Sequence, residues 1–166
     1  MAQDVNSPDY TIGVIGTGTM GRGIAQIAVT GGFQVKMYDA QDGAAVKAEE
    51  FIHRMVNRAA EKGQMSEDEA TAANSRLQIV SGLAEFAGCG MVVEAIVENL
   101  DIKRRLFNEL EGIVAEDTIL ASNTSSLSVT QIAAGCDKPE RVAKFKTRED
   151  RICRSTVFDH LINKLT

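Results

Sequence analysis

A glycine-rich turn between a short apolar strand and an amphipathic helix constrains this chain more than any other feature of its sequence. Residues 16–21 read Gly-Thr-Gly-Thr-Met-Gly. They follow the apolar, β-branched run Thr11–Ile15, which is typical of a buried parallel strand. After the turn, Met20, Ile24, Ile27 and Ala28 recur at helical spacing and predict one apolar stripe. A strand, a tight glycine turn and a helix in this order predict the start of an open α/β sheet.

The rest of the chain alternates short strands with helices. Apolar runs at residues 35–38, 77–80, 91–97 and 118–121 predict further strands. Helical spacing of apolar residues predicts long helices over residues 44–62 and from Asp101, the expected N-cap, to residue 114. Because parallel neighbours are joined only by crossovers, the alternation predicts a Rossmann-like, doubly wound, mainly parallel sheet with helices on both faces.

The glycine turn and an acid after the second strand together predict a dinucleotide site. Gly16 permits the tight turn, Gly18 lets the backbone approach a pyrophosphate, and Gly21 allows the helix to pack closely. The helix N-terminus then faces the phosphates with unpaired N–H groups. Asp39 can accept hydrogen bonds from both adenosine ribose hydroxyls and would repel a 2′-phosphate, so NAD is favoured over NADP. The cofactor contacts predicted in this part of the chain are Gly16, Gly18, Thr19, Met20, Gly21 and Asp39.

Composition and charge exclude several other classes of protein. The 166 residues are 44% hydrophobic and 25% charged, which suits one globular domain with a substantial core. A net charge of −5 argues against a nucleic-acid partner, and no apolar run is long enough for a membrane partner. The three cysteines, an odd number, and the lack of a signal-peptide pattern predict a cytoplasmic protein without a disulfide framework. No metal site is predicted.

Three segments together resemble the NAD-binding domain of the 3-hydroxyacyl-CoA dehydrogenases. They are the glycine loop with its flanks at residues 13–26, Val-Val-Glu-Ala-Ile-Val-Glu-Asn at residues 92–99, and Ala-Ser-Asn-Thr-Ser-Ser-Leu at residues 121–127. The segments occur in the family's order, and the resemblance extends from about residue 10 to residue 143. Residues 62–70 look most like the bacterial 3-hydroxybutyryl-CoA and phenylacetate-pathway members.

The resemblance implies reversible oxidation of an (S)-3-hydroxyacyl-CoA to the 3-oxoacyl-CoA with NAD, in fatty-acid or related acyl-CoA degradation. It also implies that Glu98, Lys103 and Ser125 contact the nicotinamide end of the cofactor, and that Ser125 reaches the acyl-CoA substrate. Because the second and third segments both follow strands, we expect them at the carboxyl ends of the sheet, where ligands of open α/β sheets bind.

The same resemblance adds three further assignments. Ala95 is implied as a cofactor contact, Asn123 as a catalytic residue beside Ser125, and Lys62 as a contact for the CoA phosphates. A lysine in the last turn of a helix is also favoured simply by the helix dipole. The sequence leaves open whether Glu94 points into the fold or into the cofactor cleft.

The last 23 residues depart from the family pattern. Residues 1–143 hold 12 basic and 20 acidic residues, a net charge of −8, whereas residues 144–166 hold 6 and 3, a net charge of +3. The resemblance implies a catalytic-base histidine in a His-Phe-Phe-Asn-Pro segment, but Lys146 occupies its register and no Asn-Pro follows. His53 and His160, both expected to be surface residues, cannot substitute. Without the base, a factor of about 10²–10⁴ in rate is lost, so we expect this chain to be inactive.

We therefore expect three parts: an N-terminal extension at residues 1–9, an NAD-binding Rossmann domain at residues 10–143, and an aberrant basic tail at residues 144–166, frameshifted or fused. The family's helical second domain is expected to be absent, which would leave an apolar face for a homo-oligomer. Two alternatives remain open. One is a non-catalytic nucleotide-sensing or interaction module, and the other is a different β-hydroxyacid dehydrogenase of the Rossmann class.

Overall fold

A parallel β-sheet forms the centre of the molecule. The computed structural model describes residues 4–145, so the predictions for Lys146, His160 and most of the basic tail lie outside the described residues. The strands, numbered in chain order, are β1 (Thr11–Ile15), β2 (Gln34–Tyr38), β3 (Leu77–Ile79), β4 (Met91–Glu94), β5 (Ile119–Ser122) and β6 (Val142–Lys144). The helices are α1 (Thr19–Thr30), α2 (Ala44–Glu61), α3 (Glu67–Ser75), α4 (Leu100–Glu111) and α5 (Val129–Ala133). Short 3₁₀ turns occupy Leu83–Phe86 and Pro139–Arg141.

The strand order explains where a ligand can bind. All neighbouring strands are parallel, in the order β3-β2-β1-β4-β5-β6. From β1 the chain adds β2 and then β3 on one side of the sheet, and from β4 it adds β5 and then β6 on the other side. The direction of winding therefore reverses between β1 and β4. Such a switch point leaves a crevice at the strand carboxyl ends, where the helices on either side diverge. The predicted doubly wound fold is confirmed.

Helices cover both faces of the sheet, and each face has its own apolar core. On one face, α1, α2 and α3 bury residues such as Ile24, Ile52 and Ala73 against Val14 and Met37. The other face is covered by α4, α5 and the first 3₁₀ turn, with this buried set: Phe86, Val92, Phe107, Leu110, Leu120 and Ile132. No helix in the described part of the chain is long and apolar enough to cross a membrane.

Three local predictions were wrong. Of the four residues predicted on the apolar stripe of α1, Ile24 and Ala28 are buried, but Met20 and Ile27 are exposed. The face that meets the sheet is centred on small residues, beginning at Gly21, because these allow the helix to approach.

Strand β4 ends at Glu94 rather than at residue 97, since the Glu94 carboxylate accepts a hydrogen bond from the Ile96 N–H and turns the chain. Helix α4 is capped by Asn99, whose side chain accepts from the Ile102 N–H, and not by Asp101.

Candidate functional site

Four segments meet at the carboxyl ends of the central strands. The glycine loop follows β1, Asp39 follows β2, residues 95–99 follow β4 and residues 123–127 follow β5. Three of these segments carry the family resemblance in the sequence, and Asp39 was predicted separately as the acid that follows the second strand. The sheet brings them to one edge because all four strands point in the same direction.

The glycine loop combines two closely packed glycines with one open glycine. Gly16 has a positive φ of 88°, and a Cβ placed on it would lie 2.6 Å from the Ala95 carbonyl oxygen. A Cβ on Gly21 would overlap the Gly16 carbonyl oxygen, so helix α1 sits directly on the turn. Around Gly18, by contrast, a Cβ would meet no atom of residues 4–145 within 4 Å. The backbone at Gly18 therefore faces open space that a ligand can enter.

Helix α1 begins at that open space. Its N-cap is Gly18, no side chain in the described part of the chain caps the first turn, and the first turn holds no acidic residue. Thr19 and Met20 are exposed there. The N–H groups of the first turn and the positive end of the helix dipole are thus directed at an unobstructed position, which suits an anion.

Asp39 holds the glycine loop in place. Its Oδ2 accepts hydrogen bonds from the Thr17 N–H at 2.7 Å and the Thr17 hydroxyl at 2.8 Å, and its Oδ1 accepts from the Gln41 N–H at 2.9 Å. Partial burial alone would raise the pKa of Asp39, but these hydrogen bonds outweigh it and lower the pKa. A carboxylate has about four acceptor positions, so Oδ1 keeps room for one further donor from the cleft.

A buried network of charges lies beneath the carboxyl ends of β4 and β5. Glu94 points into the fold, which answers the question that the sequence left open. Its Oε1 lies 2.7 Å from Lys103 Nζ, and both side chains are completely buried. The same ammonium lies 3.4 Å from Glu98 Oε1, and the Glu98 side chain is 39% exposed at the cleft. Lys103 therefore joins a buried carboxylate to an accessible one.

The loop after β5 is bonded to the same network. Glu94 Oε2 accepts from the Ser122 hydroxyl at 2.6 Å, and Glu98 Oε2 accepts from the Thr124 and Ser126 hydroxyls at 2.7 and 2.9 Å. Burial would raise the pKa of Glu98, but these two hydroxyls and then Lys103 lower it. Glu98 is therefore held as a carboxylate.

Two further predicted site residues lie on this loop. The Asn123 N–H donates to the Glu94 carbonyl oxygen at 2.8 Å, and Ser125, between the two bonded hydroxyl residues, is exposed. Ala95 lies against Gly16 at the base of the crevice. These residues all belong to the same edge of the sheet as the glycine loop.

Lys62 does not join the other predicted residues. It is exposed at the C-cap of α2. The residues that follow it, Gln64 and Met65, line a depression together with Thr30 and Gly31 at the C-terminal end of α1. The 12 residues of α1 span about 18 Å, which separates this end from the glycine loop.

His53 is not the surface residue that the sequence predicted. It is half-buried on α2, next to the fully buried Ile52, and its Nε2 is buried with no hydrogen-bond partner among the residues that the structure describes. Within residues 4–145, no group of three or more His, Cys, Asp or Glu side chains could hold a metal ion.

Sequence reasoning missed the supporting residues Thr17 and Ser122 and did not assign Glu94. A signal for Glu94 was present, since it is the acid that ends an otherwise apolar strand. Lys103 carried a similar signal, because it lies at helical spacing from Phe107 and Leu110 on the buried stripe of α4. A buried acid and a buried base on neighbouring elements are expected to pair.

Comparison with known proteins agrees with this geometry. Residues 11–146 match the family described as "3-hydroxyacyl-CoA dehydrogenase, NAD binding domain". The chain is 44% identical over 129 residues to a probable 3-hydroxybutyryl-CoA dehydrogenase of Bacillus subtilis, covering 78% of this chain and 45% of the relative. It is 39% identical over 133 residues to the 3-hydroxyadipyl-CoA dehydrogenase of Escherichia coli, covering 80% of this chain and 28% of the relative.

A solved structure gives the same result at the level of the fold. The crystal structure of 3-hydroxybutyryl-CoA dehydrogenase from Escherichia coli superimposes with a TM-score of 0.85 at 32% identity, covering 95% of this chain and 36% of the other. The chain spans less than half the length of these relatives. The switch-point crevice, the glycine loop and the residues matched by the family all indicate the same fold. The chain therefore belongs to the 3-hydroxyacyl-CoA dehydrogenase family, through its NAD-binding domain.

Proposed function

We propose that residues 10–143 bind NAD at the switch point of the sheet. The single observation that carries this proposal is the open space at Gly18. A Cβ there would meet no atom of the described residues within 4 Å, although Gly16 and Gly21 are closely packed. A pyrophosphate fits this position because the uncapped N–H groups of α1 point towards it. Thr19, Met20 and Gly21 belong to the same phosphate site.

The two halves of the dinucleotide would occupy opposite sides of the glycine loop. The adenosine ribose would donate to Asp39 after β2. The nicotinamide half would lie over β4 and β5, beside Ala95, Glu98 and Ser125, because the sheet order reverses between β1 and β4. Lys103 is completely buried, so it would act on this half through its ion pair with Glu98. The charge of Asp39 favours NAD over NADP, since a 2′-phosphate would meet a carboxylate there.

The activity proposed for the whole protein is oxidation of a 3-hydroxyacyl-CoA. NAD, when bound, accepts a hydride from the hydroxyl-bearing carbon. In this chain, Ser125 and Asn123 would orient the substrate hydroxyl beside the cofactor, and Glu98 would fix the loop that carries them through Thr124 and Ser126. Relatives named 3-hydroxybutyryl-CoA and 3-hydroxyadipyl-CoA dehydrogenase support this substrate class. Lys62, at the other end of α1, is at most a peripheral contact for the CoA phosphates.

We also propose that the polypeptide of these 166 residues binds the cofactor without turning over substrate. Lys146 stands where the resemblance requires the catalytic-base histidine. A lysine is protonated at neutral pH and is therefore a poor proton acceptor. Loss of the base alone lowers the rate by about 10²–10⁴.

Titration calorimetry with NADH and NADPH tests the binding proposal, and an absorbance assay at 340 nm with NAD and 3-hydroxybutyryl-CoA tests the lack of turnover. We expect saturable NADH binding, weaker NADPH binding and no absorbance change. Folded protein that does not bind NADH at millimolar concentration would contradict the first proposal. Steady NADH production would contradict the second.

A further inference from the structure

Glu94 lies beneath the carboxyl ends of β4 and β5 and has no direct contact with the cleft. Its side chain is completely buried. Both of its oxygens are engaged inside the protein: Oε1 with Lys103 Nζ and the Ile96 N–H, each at 2.7 Å, and Oε2 with the Ser122 hydroxyl at 2.6 Å. A buried carboxylate with three donors is fixed in one position.

Each of these three donors controls a segment that faces the cleft. The Ile96 N–H fixes the turn that carries Ala95 and Glu98. Ser122 ends β5 directly before the loop of Thr124 and Ser126, which are bonded to Glu98. Lys103 is held where it also lies 3.4 Å from Glu98 Oε1. One carboxylate therefore ties together both segments of the proposed nicotinamide half-site.

The charges make this arrangement depend on Glu94. Glu94 and Glu98 share one ammonium, and Lys103 is much closer to Glu94 than to Glu98. If the charge of Glu94 is removed, Glu98 becomes the remaining carboxylate bonded to Lys103. The attraction of Glu98 to the Lys103 ammonium then competes with the hydrogen bonds that Glu98 accepts from the loop hydroxyls. This competition disturbs the position of Glu98, which is the accessible part of the network.

We propose that Glu94 is a positioning residue for the nicotinamide half of the cofactor, acting through Lys103, Ser122 and the Ile96 turn. The inference rests on the proposed NAD site and deepens it. The adenosine side does not depend on Glu94, because a separate set of hydrogen bonds, from Thr17 and Gln41 to Asp39, holds it. Glu94 should therefore affect one half of the dinucleotide and not the other.

The test uses two probes with the full chain: ADP, which fills only the adenosine and phosphate positions, and NADH, which fills both halves. In the Glu94→Gln variant we expect the dissociation constant for NADH to rise about tenfold and that for ADP to stay within about twofold. An unchanged NADH affinity would overturn the inference. Equal weakening of both ligands would also overturn it, since that would indicate a general structural role.

Two further variants make the result decisive. Thr118→Val removes a buried hydrogen bond of 2.8 Å to the Cys89 carbonyl oxygen next to the amino end of β5, and should leave the affinities for both ligands unchanged. If Glu94→Gln does not fold, Ser122→Ala replaces it, with an expected loss of about threefold for NADH alone. Unchanged NADH binding by Ser122→Ala would then overturn the inference. If the wild-type chain binds neither ADP nor NADH, the proposed function itself fails and the inference with it.

Discussion

Lys103 Nζ and Glu94 Oε1 form an ion pair of 2.7 Å in which both side chains are completely shielded from solvent. The pair joins helix α4 to the end of strand β4, nine residues apart in sequence. Two charges removed from water in this way stabilise a fold only when each has its partner, because either charge alone pays a large desolvation penalty. Lys103 is thus a charged residue on the buried side of α4, where the other buried residues, Phe107 and Leu110, are apolar.

The first prediction concerns the stability of this pair. Lys103→Met should lower the free energy of unfolding by about 3–5 kcal/mol, because it leaves the buried Glu94 charge uncompensated. Adding Glu94→Gln to the same chain should recover part of that loss. Urea unfolding of the two single variants and the double variant measures the coupling, and additive losses within about 0.5 kcal/mol would show that the pair is not coupled.

The second prediction separates the two kinds of glycine in the loop. Gly18→Ala should change the unfolding free energy by only about 1 kcal/mol or less, because its Cβ meets no atom, yet it should abolish NADH binding by filling the phosphate position. Gly21→Ala should destabilise the protein strongly, because its Cβ overlaps the Gly16 carbonyl oxygen. Thermal unfolding and NADH titration of both variants provide the check. A Gly18→Ala variant that binds NADH normally would argue against the phosphate position.

The third prediction concerns specificity. Asp39→Asn removes the charge but keeps the shape, so we expect NADH to bind about tenfold more weakly and NADPH to approach NADH in affinity. Thr17→Val is the matched control, since it removes a hydrogen bond of 2.8 Å to Asp39 and leaves the charge. It should weaken both dinucleotides equally. An unchanged NADPH-to-NADH ratio in Asp39→Asn would mean that another group sets the specificity.

The fourth prediction is a pH dependence. Burial would raise the pKa of Glu111, but hydrogen bonds from the Asp137 and Lys138 N–H groups, together with Arg141, lower it. Because its folded pKa is below its unfolded value, Glu111 contributes stability above about pH 4.3, and this contribution is lost as the pH falls through the folded pKa. Glu111→Gln should thus reduce the slope of stability against pH between about pH 5 and pH 3, by up to about 1.4 kcal/mol per pH unit.

Urea unfolding at a series of pH values measures that slope. Glu109→Gln, an exposed acid on the same helix, controls for the loss of one negative charge. If Glu111→Gln keeps the wild-type slope, the hydrogen bonds to Glu111 do not lower its pKa as described.

Much of the fold could be predicted because its signals are local. The apolar run of β1, the glycine turn and the helical spacing of residues 44–62 each depend on residues close in sequence. The structure contains all three, the last as helix α2 (Ala44–Glu61). The crossover rule then restricted the topology to a parallel sheet.

The errors and omissions arise from contacts that are distant in sequence. Two of the four residues predicted on the apolar stripe of α1 were wrong, because the close approach at Gly21 turns Met20 and Ile27 towards solvent. Thr17 is bonded to Asp39 across 22 residues, and Ser122 to Glu94 across 28 residues. Periodicity within one element carries no information about such pairs, so the support of the candidate site became visible only in the structure.

The most direct test of the account is a map of backbone amide shifts in an ¹⁵N-labelled sample of the 166-residue chain titrated with NADH. We predict shifts in the glycine loop, at the end of β2, and in residues 95–99 and 123–127, with none at Lys62 or Gln64. Shifts confined to the glycine loop and β2 would contradict the proposed nicotinamide half-site. A spectrum of folded protein that does not change at saturating NADH would contradict the central claim that the crevice binds NAD.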